Sequence, residues 1–397
     1  MQEIVDRITA EDEAAGIART LLFPYLNHAA TMFESGYATK ADIDAAMRFG
    51  CGYPIGPLDL IDALGASTVA EGLAHLHDRT GDQLHVPAPL LARLAVSSST
   101  FAEEAAAGAA ADDPVSHHPV AKVGVVGTGT MASGIVEVFA KAGHDVVFVG
   151  RTDEKAAAVQ ARVEKNLDRA IAKGKLDEAG KSAVIDRLTA ATAREALGDV
   201  DIVVEAIAED LEIKLELFRD LDRICKPGAI LATTTSSLSI AECAAVTSRP
   251  GDVVGMHFFN PAPVMKLVEV VSADSTSPEV ADTVKTLCLD IGKHPVSCGD
   301  RAGFIVNALL FPYLNDAVTL HESGVPMGDI DDAMKGTKLP MGPFELLDVV
   351  GNDVSLAIQT TLVEAFGHEG WTPAASLEKV VAEGKLGRKT GEGFHTY

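Results

Sequence analysis

The spacing of apolar and polar positions predicts helical regions at both ends of the chain and an α/β region between them. Apolar residues recur at helical spacing over 17–33 and 41–47, and again over 58–64 after the break in Tyr53-Pro54-Ile55-Gly56-Pro57. From residue 121 onward, short apolar runs alternate with helical patterns. That alternation is typical of a parallel sheet whose strands are connected by helices.

Six strands and five helices are predicted in the α/β region. The apolar runs predict strands over 123–126, 145–149, 200–206, 229–232, 253–256 and 266–271. The helical patterns between them cover 131–142, 153–173, 212–224, 239–246 and 278–291. In such sheets, ligands bind at the carboxyl ends of the strands, so the residues that follow each strand are the first candidates for chemistry.

A glycine turn joins the first of these strands to its helix. Gly127-Thr128-Gly129 follows the strand directly, and Ala132 supplies the third small residue of the pattern. Gly127 permits the sharp turn, Gly129 lets the backbone approach a pyrophosphate, and the N–H groups at the helix start face the phosphates. Because the turn lies between two strands in a unit of about 30 residues, it indicates a dinucleotide-binding domain.

One helical block occurs twice in the sequence. LLFPYLN stands at 21–27 and again at 309–315, and ESG, IDAAM/IDDAM and YPIGPLDLID/LPMGPFELLD follow in the same order in both places. Ordered matches at a near-constant offset indicate a duplicated domain. Two copies usually pack through an apolar face, as in a two-fold dimer.

The predicted fold class is therefore α/β, with a doubly wound Rossmann-like sheet flanked by two all-α domains that are duplicates of each other. The predicted boundaries are 1–95 for the first helical copy, 96–120 for a Ser/Ala/Asp-rich linker with room for one helical turn, 121–299 for the dinucleotide-binding domain and 300–397 for the second copy.

Composition narrows the possible partners. A net charge of −24 argues against a nucleic acid or an anionic membrane surface, so a phosphate-bearing ligand needs a local basic patch. The N-terminus has no apolar signal core, and no apolar run is long enough to span a membrane. Five cysteines without CxxC spacing favour the reducing cytoplasm. His117 and His118 lack the spacing of further ligands, so no metal site is predicted.

Polar residues follow two neighbouring strands of the predicted sheet. Thr233 to Ser237 (TTTSS) follow one strand, His257 follows the next, and Glu269 lies twelve residues further on. Two strands linked by a turn can bring His257 and Glu269 within hydrogen-bond reach, and the carboxylate would then fix the imidazole tautomer and raise its basicity. Such a pair can accept the proton of an alcohol whose hydride passes to a nicotinamide. On spacing alone, a pair that only ties two strands together is equally compatible.

Eight ordered motifs together resemble the L-3-hydroxyacyl-CoA dehydrogenases. They are GTGTM, VEAIAEDLEIK, TSSLSI, HFFNPAPVMKLVEVV, GKHPVSC, DRAGFIVNALLFPYLN, MGPFELLD and GRKTGEGF, and they extend over 121–397. The resemblance implies a Rossmann domain and a dimer-forming helical C-terminal domain. It also implies that His257 is the general acid/base, that Glu269 orients it, and that Ser236 and Asn307 contact the 3-oxygen of the substrate.

The resemblance also implies which residues bind the dinucleotide cofactor and which bind CoA. It implies that Glu209 and Lys214 line the cofactor ribose and nicotinamide, that Asn260 belongs to the site, and that Lys173, assisted by Lys175, lies near the CoA phosphates. The predicted cofactor-binding set is Gly127, Gly129, Thr130, Met131, Gly150, Arg151, Thr152, Ala206, Glu209, Lys214, Ser236, Asn260 and Lys389.

The sequence departs from the family pattern at the cofactor-selecting position. An NAD-binding unit usually ends its second strand with Asp or Glu, which bonds the ribose 2′-hydroxyl. Here Gly150 stands at that position and Arg151-Thr152 follows. Without a carboxylate to repel a 2′-phosphate, and with an arginine to bind it, we predict NADP rather than NAD. Thr234 is a second departure, since the family usually has Asn there.

The position of the extra copy, ahead of the sheet, is the third departure. When the copies are aligned on LLFPYLN, Arg19 stands opposite Asn307, and no counterpart of GRKTGEGF is present. We therefore expect no active site in the first copy. It should pack on another helical domain, either within the chain as a pseudo-dimer or in a homo-oligomer.

The function predicted from the sequence is reversible hydride transfer between NAD(P) and C3 of an acyl-CoA, with short chains such as 3-hydroxybutyryl-CoA favoured. Two alternatives stay open at this point. One is an oxidoreductase of the β-hydroxyacid dehydrogenase type, which shares the GxGxM turn; the other is a catalytically silent scaffold of helical repeats.

Overall fold

The computed structural model describes residues 1–107 and 114–397, which form two compact units. The helical unit combines Met1–Ala111 with Ala302–Tyr397, and the sheet unit is Asp112–Arg301. The chain therefore completes the first helical copy, builds the sheet unit, and then returns to the helical unit for the second copy.

Residues 1–107 of the first copy contain seven helices, and the three helices predicted there lie within α2, α3 and α4. The bounds are α1 Gln2–Thr9, α2 Glu13–Glu34, α3 Lys40–Gly50, α4 Pro57–Leu64, α5 Ala66–Thr80, α6 Pro89–Ser97 and α7 Phe101–Ala107, with a 3-10 turn at Gln83–His85.

The sheet unit is built on eight strands in the order β3-β2-β1-β4-β5-β6-β7-β8. Their bounds are β1 Lys122–Val126, β2 Asp145–Val149, β3 Leu188–Ala191, β4 Ile202–Glu205, β5 Ile230–Thr233, β6 Val253–Phe258, β7 Leu267–Ser272 and β8 His294–Gly299. All neighbours pair in parallel except β6 and β7, which are antiparallel. The predicted doubly wound α/β fold is confirmed.

Six of these strands were predicted, while β3 and β8 were not. β3 reads LTAA and is not fully buried at any position, and β8 reads HPVSCG, with a proline and two polar residues. Both strands lie at the edges of the sheet, where one side needs no partner and the apolar signal is weak.

Helices cover the sheet and bury their apolar stripes against it. Their bounds are α8 Thr130–Lys141, α9 Asp153–Ala172, α10 Glu178–Ile185, α11 Leu211–Ile224, α12 Ile240–Ala245 and α13 Pro278–Asp290, with 3-10 turns at Arg194–Leu197 and Pro250–Asp252. On α9, the buried residues Ala156, Val159, Val163 and Leu167 recur at steps of three and four, so the opposite face of that helix is left to polar residues.

The second copy repeats the helices of the first. Its bounds are α14 Val306–Glu322, α15 Met327–Gly336, α16 Pro343–Val350, α17 Asn352–Phe366 and α18 Ala375–Ala382, with a 3-10 turn at Glu369–Trp371. Equivalent side chains make equivalent bonds. Asn27 accepts from the backbone N–H of Ala88 at 2.7 Å, and Asn315 accepts from that of Ala374 at 2.8 Å.

The two copies pack against each other within the helical unit. Helix α2 of the first copy contacts α14 and α15 of the second. The rings of Tyr25 and Tyr313, which are equivalent positions of LLFPYLN, lie 6.1 Å apart between centroids. At the edge of this interface, Lys338 forms an ion pair with Glu3 at 2.6 Å.

The first copy extends beyond the boundary predicted at residue 95. Helices α6 and α7 belong to the helical unit, because Asp62 accepts hydrogen bonds from the backbone N–H groups of Phe101 and Ala102. Asp348, the equivalent residue, accepts from Phe394 in the GRKTGEGF segment. A different sequence therefore takes the place of that segment in the first copy. The rest of the predicted linker includes residues 108–113, which lie outside the described residues.

Candidate active site

The glycine turn after β1 has the shape that a dinucleotide pyrophosphate needs. Gly127 adopts φ +138°, and a Cβ there would collide with the carbonyl oxygen of Ala206. A Cβ on Gly129 would meet nothing within 4 Å, so the space in front of the turn is open. Thr130 begins α8, whose first N–H groups are therefore available to a phosphate. Met131 packs against the core of the sheet unit.

The end of β2 offers no carboxylate and little space. Gly150 is buried, and a Cβ on it would lie 2.9 Å from the backbone nitrogen of Ala156, so a larger residue requires the loop to move. Arg151 is exposed beside it. Thr152 serves as the N-cap of α9 by accepting from the backbone N–H of Lys155 at 3.2 Å.

An ion-paired cluster follows β4 and β5. Lys214 is buried and lies 2.7 Å from Glu205 and 3.3 Å from Glu209. Glu209 accepts hydrogen bonds from the backbone N–H of Ser236 at 2.9 Å and from the hydroxyl of Thr235 at 2.6 Å. Burial raises the pKa of Glu209, but the Lys214 ammonium and these hydrogen bonds outweigh burial and leave that pKa below its usual value. Three predicted site residues, Glu209, Lys214 and Ser236, are thus brought together.

His257 and Glu269 stand directly opposite each other on the antiparallel pair β6–β7. Nδ1 of His257 lies 2.6 Å from Oε2 of Glu269, so the two side chains are within hydrogen-bond reach, as their spacing predicted. Glu269 is fully buried and His257 is 7% exposed, and the ring of Phe259 lies 4.6 Å from the imidazole between centroids. The short, buried bond holds the imidazole in one orientation.

A cavity of about 570 Å³ in the sheet unit carries strong positive charge. Six of the side chains that line it are cationic, and one, Glu137, is a carboxylate, in a chain whose net charge is −24. The lining residues are Thr130, Ser133, Gly134, Glu137, Lys141, Arg162, Lys165, Asn166, Arg169, Ala170, Lys173, Lys175, Asn260, Pro261, Ala262, Pro263 and Val264. Four of them are site residues predicted from the sequence. Lys173 and Lys175 were predicted to lie near the CoA phosphates, and Thr130 and Asn260 to bind the cofactor.

Most of the cationic residues of this cavity were not predicted from the sequence. Arg162, Lys165, Arg169 and Lys173 follow one another at steps of three or four, which places them on one face of α9 and its end. That stripe is a detectable signal, because the opposite face of the same helix carries the buried apolar residues. Arg162 also donates to the carbonyl oxygen of Thr128 at 2.6 Å.

Two predicted site residues belong to the helical unit. Asn307 lies in the first turn of α14 and is 8% exposed. Lys389 forms an ion pair with Asp353, so any use of Lys389 by a cofactor requires that pair to open.

In the first copy, Arg19 stands at the position equivalent to Asn307 and has a structural role. Arg19 donates from Nη1 to the carbonyl oxygens of Ile8 at 2.7 Å and Ala10 at 2.8 Å, which fixes the end of α1. The residue of the first copy that is equivalent to Asn307 therefore stabilises the end of α1.

The described residues contain neither a metal-binding cluster nor a single membrane-spanning helix. No group of three or more His, Cys, Asp or Glu within 1–107 and 114–397 is arranged to hold a metal ion. In the same ranges no single helix is long and apolar enough to cross a membrane, and the one pair that qualifies together, α16 with α17, is bent by 98°.

Comparison with known families accounts for both units. Residues 122–301 match the family model described as 3-hydroxyacyl-CoA dehydrogenase, NAD binding domain. Residues 17–111 and 303–397 each match the model described as 3-hydroxyacyl-CoA dehydrogenase, C-terminal domain. The chain belongs to the 3-hydroxyacyl-CoA dehydrogenase family. The family assignment made from the motifs is confirmed, and so is the duplication of the helical domain.

Members of the family from distant organisms match about the same share of the chain. A 3-hydroxybutyryl-CoA dehydrogenase of Clostridioides difficile is 46% identical over 278 residues, which cover 70% of this chain and 99% of the relative. The human mitochondrial hydroxyacyl-coenzyme A dehydrogenase is 45% identical over 297 residues, covering 70% and 91%. The crystal structure of (S)-3-hydroxybutyryl-CoA dehydrogenase from Ralstonia eutropha gives a TM-score of 0.69 at 40% identity, covering 70% of this chain and 99% of that one.

Proposed function

We propose that this protein is an NAD(P)-dependent 3-hydroxyacyl-CoA dehydrogenase that interconverts the C3 hydroxyl and keto forms of a short acyl-CoA, such as 3-hydroxybutyryl-CoA and acetoacetyl-CoA. The observation that carries the proposal is the 2.6 Å bond between Nδ1 of His257 and Oε2 of the fully buried Glu269. Because that pair stands in the same unit as the glycine turn, acid–base chemistry and dinucleotide binding are combined in one domain.

His257 acts in this proposal as the general acid and base. Its Nδ1–H donates to Glu269, so Nε2 is the nitrogen that takes the proton from the C3 hydroxyl during oxidation and returns it during reduction. Glu269 keeps that tautomer in place and stabilises the imidazolium that forms. Ser236 donates a hydrogen bond to the C3 oxygen as negative charge develops on it. A bound nicotinamide would supply or accept the hydride.

The residues present fit a dinucleotide. Gly127 and Gly129 leave the turn open to the pyrophosphate, and the start of α8 offers N–H groups to it. Gly150 and Arg151 favour the 2′-phosphate of NADP over NAD, since no carboxylate repels it and an exposed guanidinium can bind it. Arg151→Asp should then shift the preference toward NAD.

The cationic cavity is proposed to receive the nucleotide end of CoA, which carries a 3′-phosphate and a diphosphate. Lys173 and Lys175 were predicted for this role, and Arg162, Lys165 and Arg169 add charge on the same side. The local excess of positive charge resolves the conflict between a polyanionic substrate and a net charge of −24.

The first helical copy is proposed to replace the partner subunit of a dimer. Support comes from the packing of α2 on α14 and α15, and from the contact of Tyr25 with Tyr313 at equivalent positions. The full chain should then be monomeric in light scattering. A fragment of residues 119–397 should dimerise or aggregate; if it stays soluble, fully active and monomeric, the packing role is wrong. A cytoplasmic location is proposed from cysteine usage, because the five cysteines show no CxxC spacing.

The test of the proposed activity is oxidation of NADH and NADPH with acetoacetyl-CoA and with a C10 3-ketoacyl-CoA. We expect turnover with the C4 substrate, higher kcat/KM with NADPH than with NADH, and a loss of about 10²–10⁴ in kcat for His257→Gln. No turnover with either cofactor and either thioester would overturn the function. A clear preference for NADH would overturn only the cofactor assignment.

A further inference from the structure

The sheet order indicates which strand ends face each half of a dinucleotide. The pyrophosphate binds at the turn after β1, and the residue that selects the adenosine ribose stands at the end of β2. Because β1 lies between β2 and β4, the adenosine half extends over β2 and the nicotinamide half must extend the other way, over β4 and β5. This assignment rests on the dinucleotide binding of the proposed function.

One fully buried carboxylate connects the ends of β4 and β5. Glu205, the last residue of β4, is 0% exposed. Its Oε1 accepts from Nζ of Lys214 at 2.7 Å and from the backbone N–H of Ile207 at 2.7 Å, while its Oε2 accepts from the hydroxyl of Thr233 at 2.6 Å and from Lys214 at 2.9 Å. The loop after β4, the first turns of α11 and the end of β5 are therefore tied to one side chain.

The second carboxylate bound by Lys214 lies nearer the surface. Glu209 is 3.3 Å from Nζ of Lys214, and its side chain is 39% exposed. It accepts from the backbone N–H of Ser236 at 2.9 Å and from the hydroxyls of Thr235 and Ser236 at 2.6 and 3.3 Å. A chain of charged groups thus runs from the interior at Glu205 through Lys214 to the polar loop after β5.

We propose that Glu205 is a positioning residue for the nicotinamide half of the cofactor site. It holds Lys214 in place, Lys214 helps hold Glu209, and Glu209 sets the conformation of the loop that carries Ser236. Glu205 itself is too deeply buried to contact a ligand, so it acts only through the other residues. The arrangement requires the charge of Glu205, because without it the buried Lys214 keeps only the longer 3.3 Å ion pair with the partly exposed Glu209.

The test compares a whole dinucleotide with its adenosine fragment. In Glu205→Gln, the Kd for NADPH or NADH, whichever the unmodified protein binds more tightly, should rise by about tenfold or more, as expected when a buried charge pair is broken. The Kd for 2′,5′-ADP and ADP should change by less than about twofold, because these fragments occupy the β2 side. Calorimetry measures the dinucleotides, and saturation-transfer NMR measures the fragments.

A matched control separates positioning from general damage. Asp222 lies near the other end of α11 and accepts from Arg249 Nε at 3.1 Å and from the backbone N–H of Ser248 at 2.8 Å. Asp222→Asn also disrupts a half-buried ion pair, but at the amino edge of the strands. It should lower Tm without changing the affinity for either the dinucleotide or the fragment.

A milder variant covers the case in which Glu205→Gln does not fold. Thr233→Val keeps the shape of the side chain and the ion pair. It removes the 2.6 Å bond to Glu205 and the 3.2 Å bond that the Thr233 hydroxyl accepts from the backbone N–H of Thr235. It should weaken the dinucleotide several-fold and leave the fragments unaffected. The positioning role is overturned if the folded variants bind the dinucleotide as the unmodified protein does, or if both ligands weaken equally. If the unmodified protein binds no dinucleotide, the proposed function fails first.

Discussion

The bond between His257 and Glu269 leads to the most discriminating prediction about catalysis. Glu269→Gln keeps the size of the side chain but removes its charge, and with it the charge-assisted part of a 2.6 Å hydrogen bond. Hydrogen bonds to charged groups are worth about 1.5–3 kcal/mol. If the Glu269 hydrogen bond contributes this energy only when the imidazole of His257 is protonated, kcat should fall by about 10- to 150-fold in Glu269→Gln.

The loss of kcat in Glu269→Gln should depend on the presence of the His257 imidazole. His257→Gln should lower kcat by about 10²–10⁴. The double variant should be no slower than His257→Gln alone, because Glu269 acts through the histidine and has nothing left to orient. The assay is single-turnover reduction of acetoacetyl-CoA at saturating cofactor, with Tm measured for every variant so that only folded protein is compared.

Two results would refute this reasoning. If Glu269→Gln keeps kcat within about twofold, the carboxylate only ties two strands together and contributes less than the energy of one such bond. If the losses of the two single variants multiply in the double variant, Glu269 acts independently of the imidazole. Asp222→Asn, which lies at the amino edge of the sheet, should leave kcat unchanged and so controls for general loss of stability.

Three further predictions concern the turn, the cavity and the interface between the helical copies. Gly127→Ala should lower Tm, because φ +138° and the carbonyl of Ala206 leave no place for a Cβ, whereas Gly129→Ala, at φ −76° with open space, should keep Tm and weaken dinucleotide binding in calorimetry. Lys173→Ala should raise KM for acetoacetyl-CoA by about two- to fivefold without changing kcat, with a smaller effect at high salt and none for a pantetheine thioester that lacks the nucleotide. Burial, together with the neighbouring carboxylate of Asp82, raises the pKa of Asp316 to about 8. The stability of the folded chain therefore falls as pH rises toward and through 8, and the Tm of Asp316→Asn should gain on that of the unmodified protein between pH 5.5 and 9. An equal difference in Tm at all pH values would contradict this.

The sequence determined those features that depend on local pattern. Short apolar runs identified the six inner strands, and the repeated LLFPYLN block indicated the duplication. The separation of His257 and Glu269 by twelve residues, across two strands and a turn, showed that the two side chains can meet, and the antiparallel pairing of β6 and β7 places them directly opposite each other. The edge strands β3 and β8 were not predicted, since a strand that is covered on fewer sides needs fewer apolar residues.

Tertiary structure alone decided which distant groups share an environment. The cationic cavity combines a face of α9 with α8 and with the loop after β6, and no linear motif records that these segments are adjacent. The same holds for Glu205: in the sequence it is one carboxylate at a strand end, and only the packing of α11 over the sheet buries it against Lys214 and Thr233. Sequence fixes periodicity, which is local, whereas charge compensation in the interior depends on contacts between segments that only the folded chain brings together.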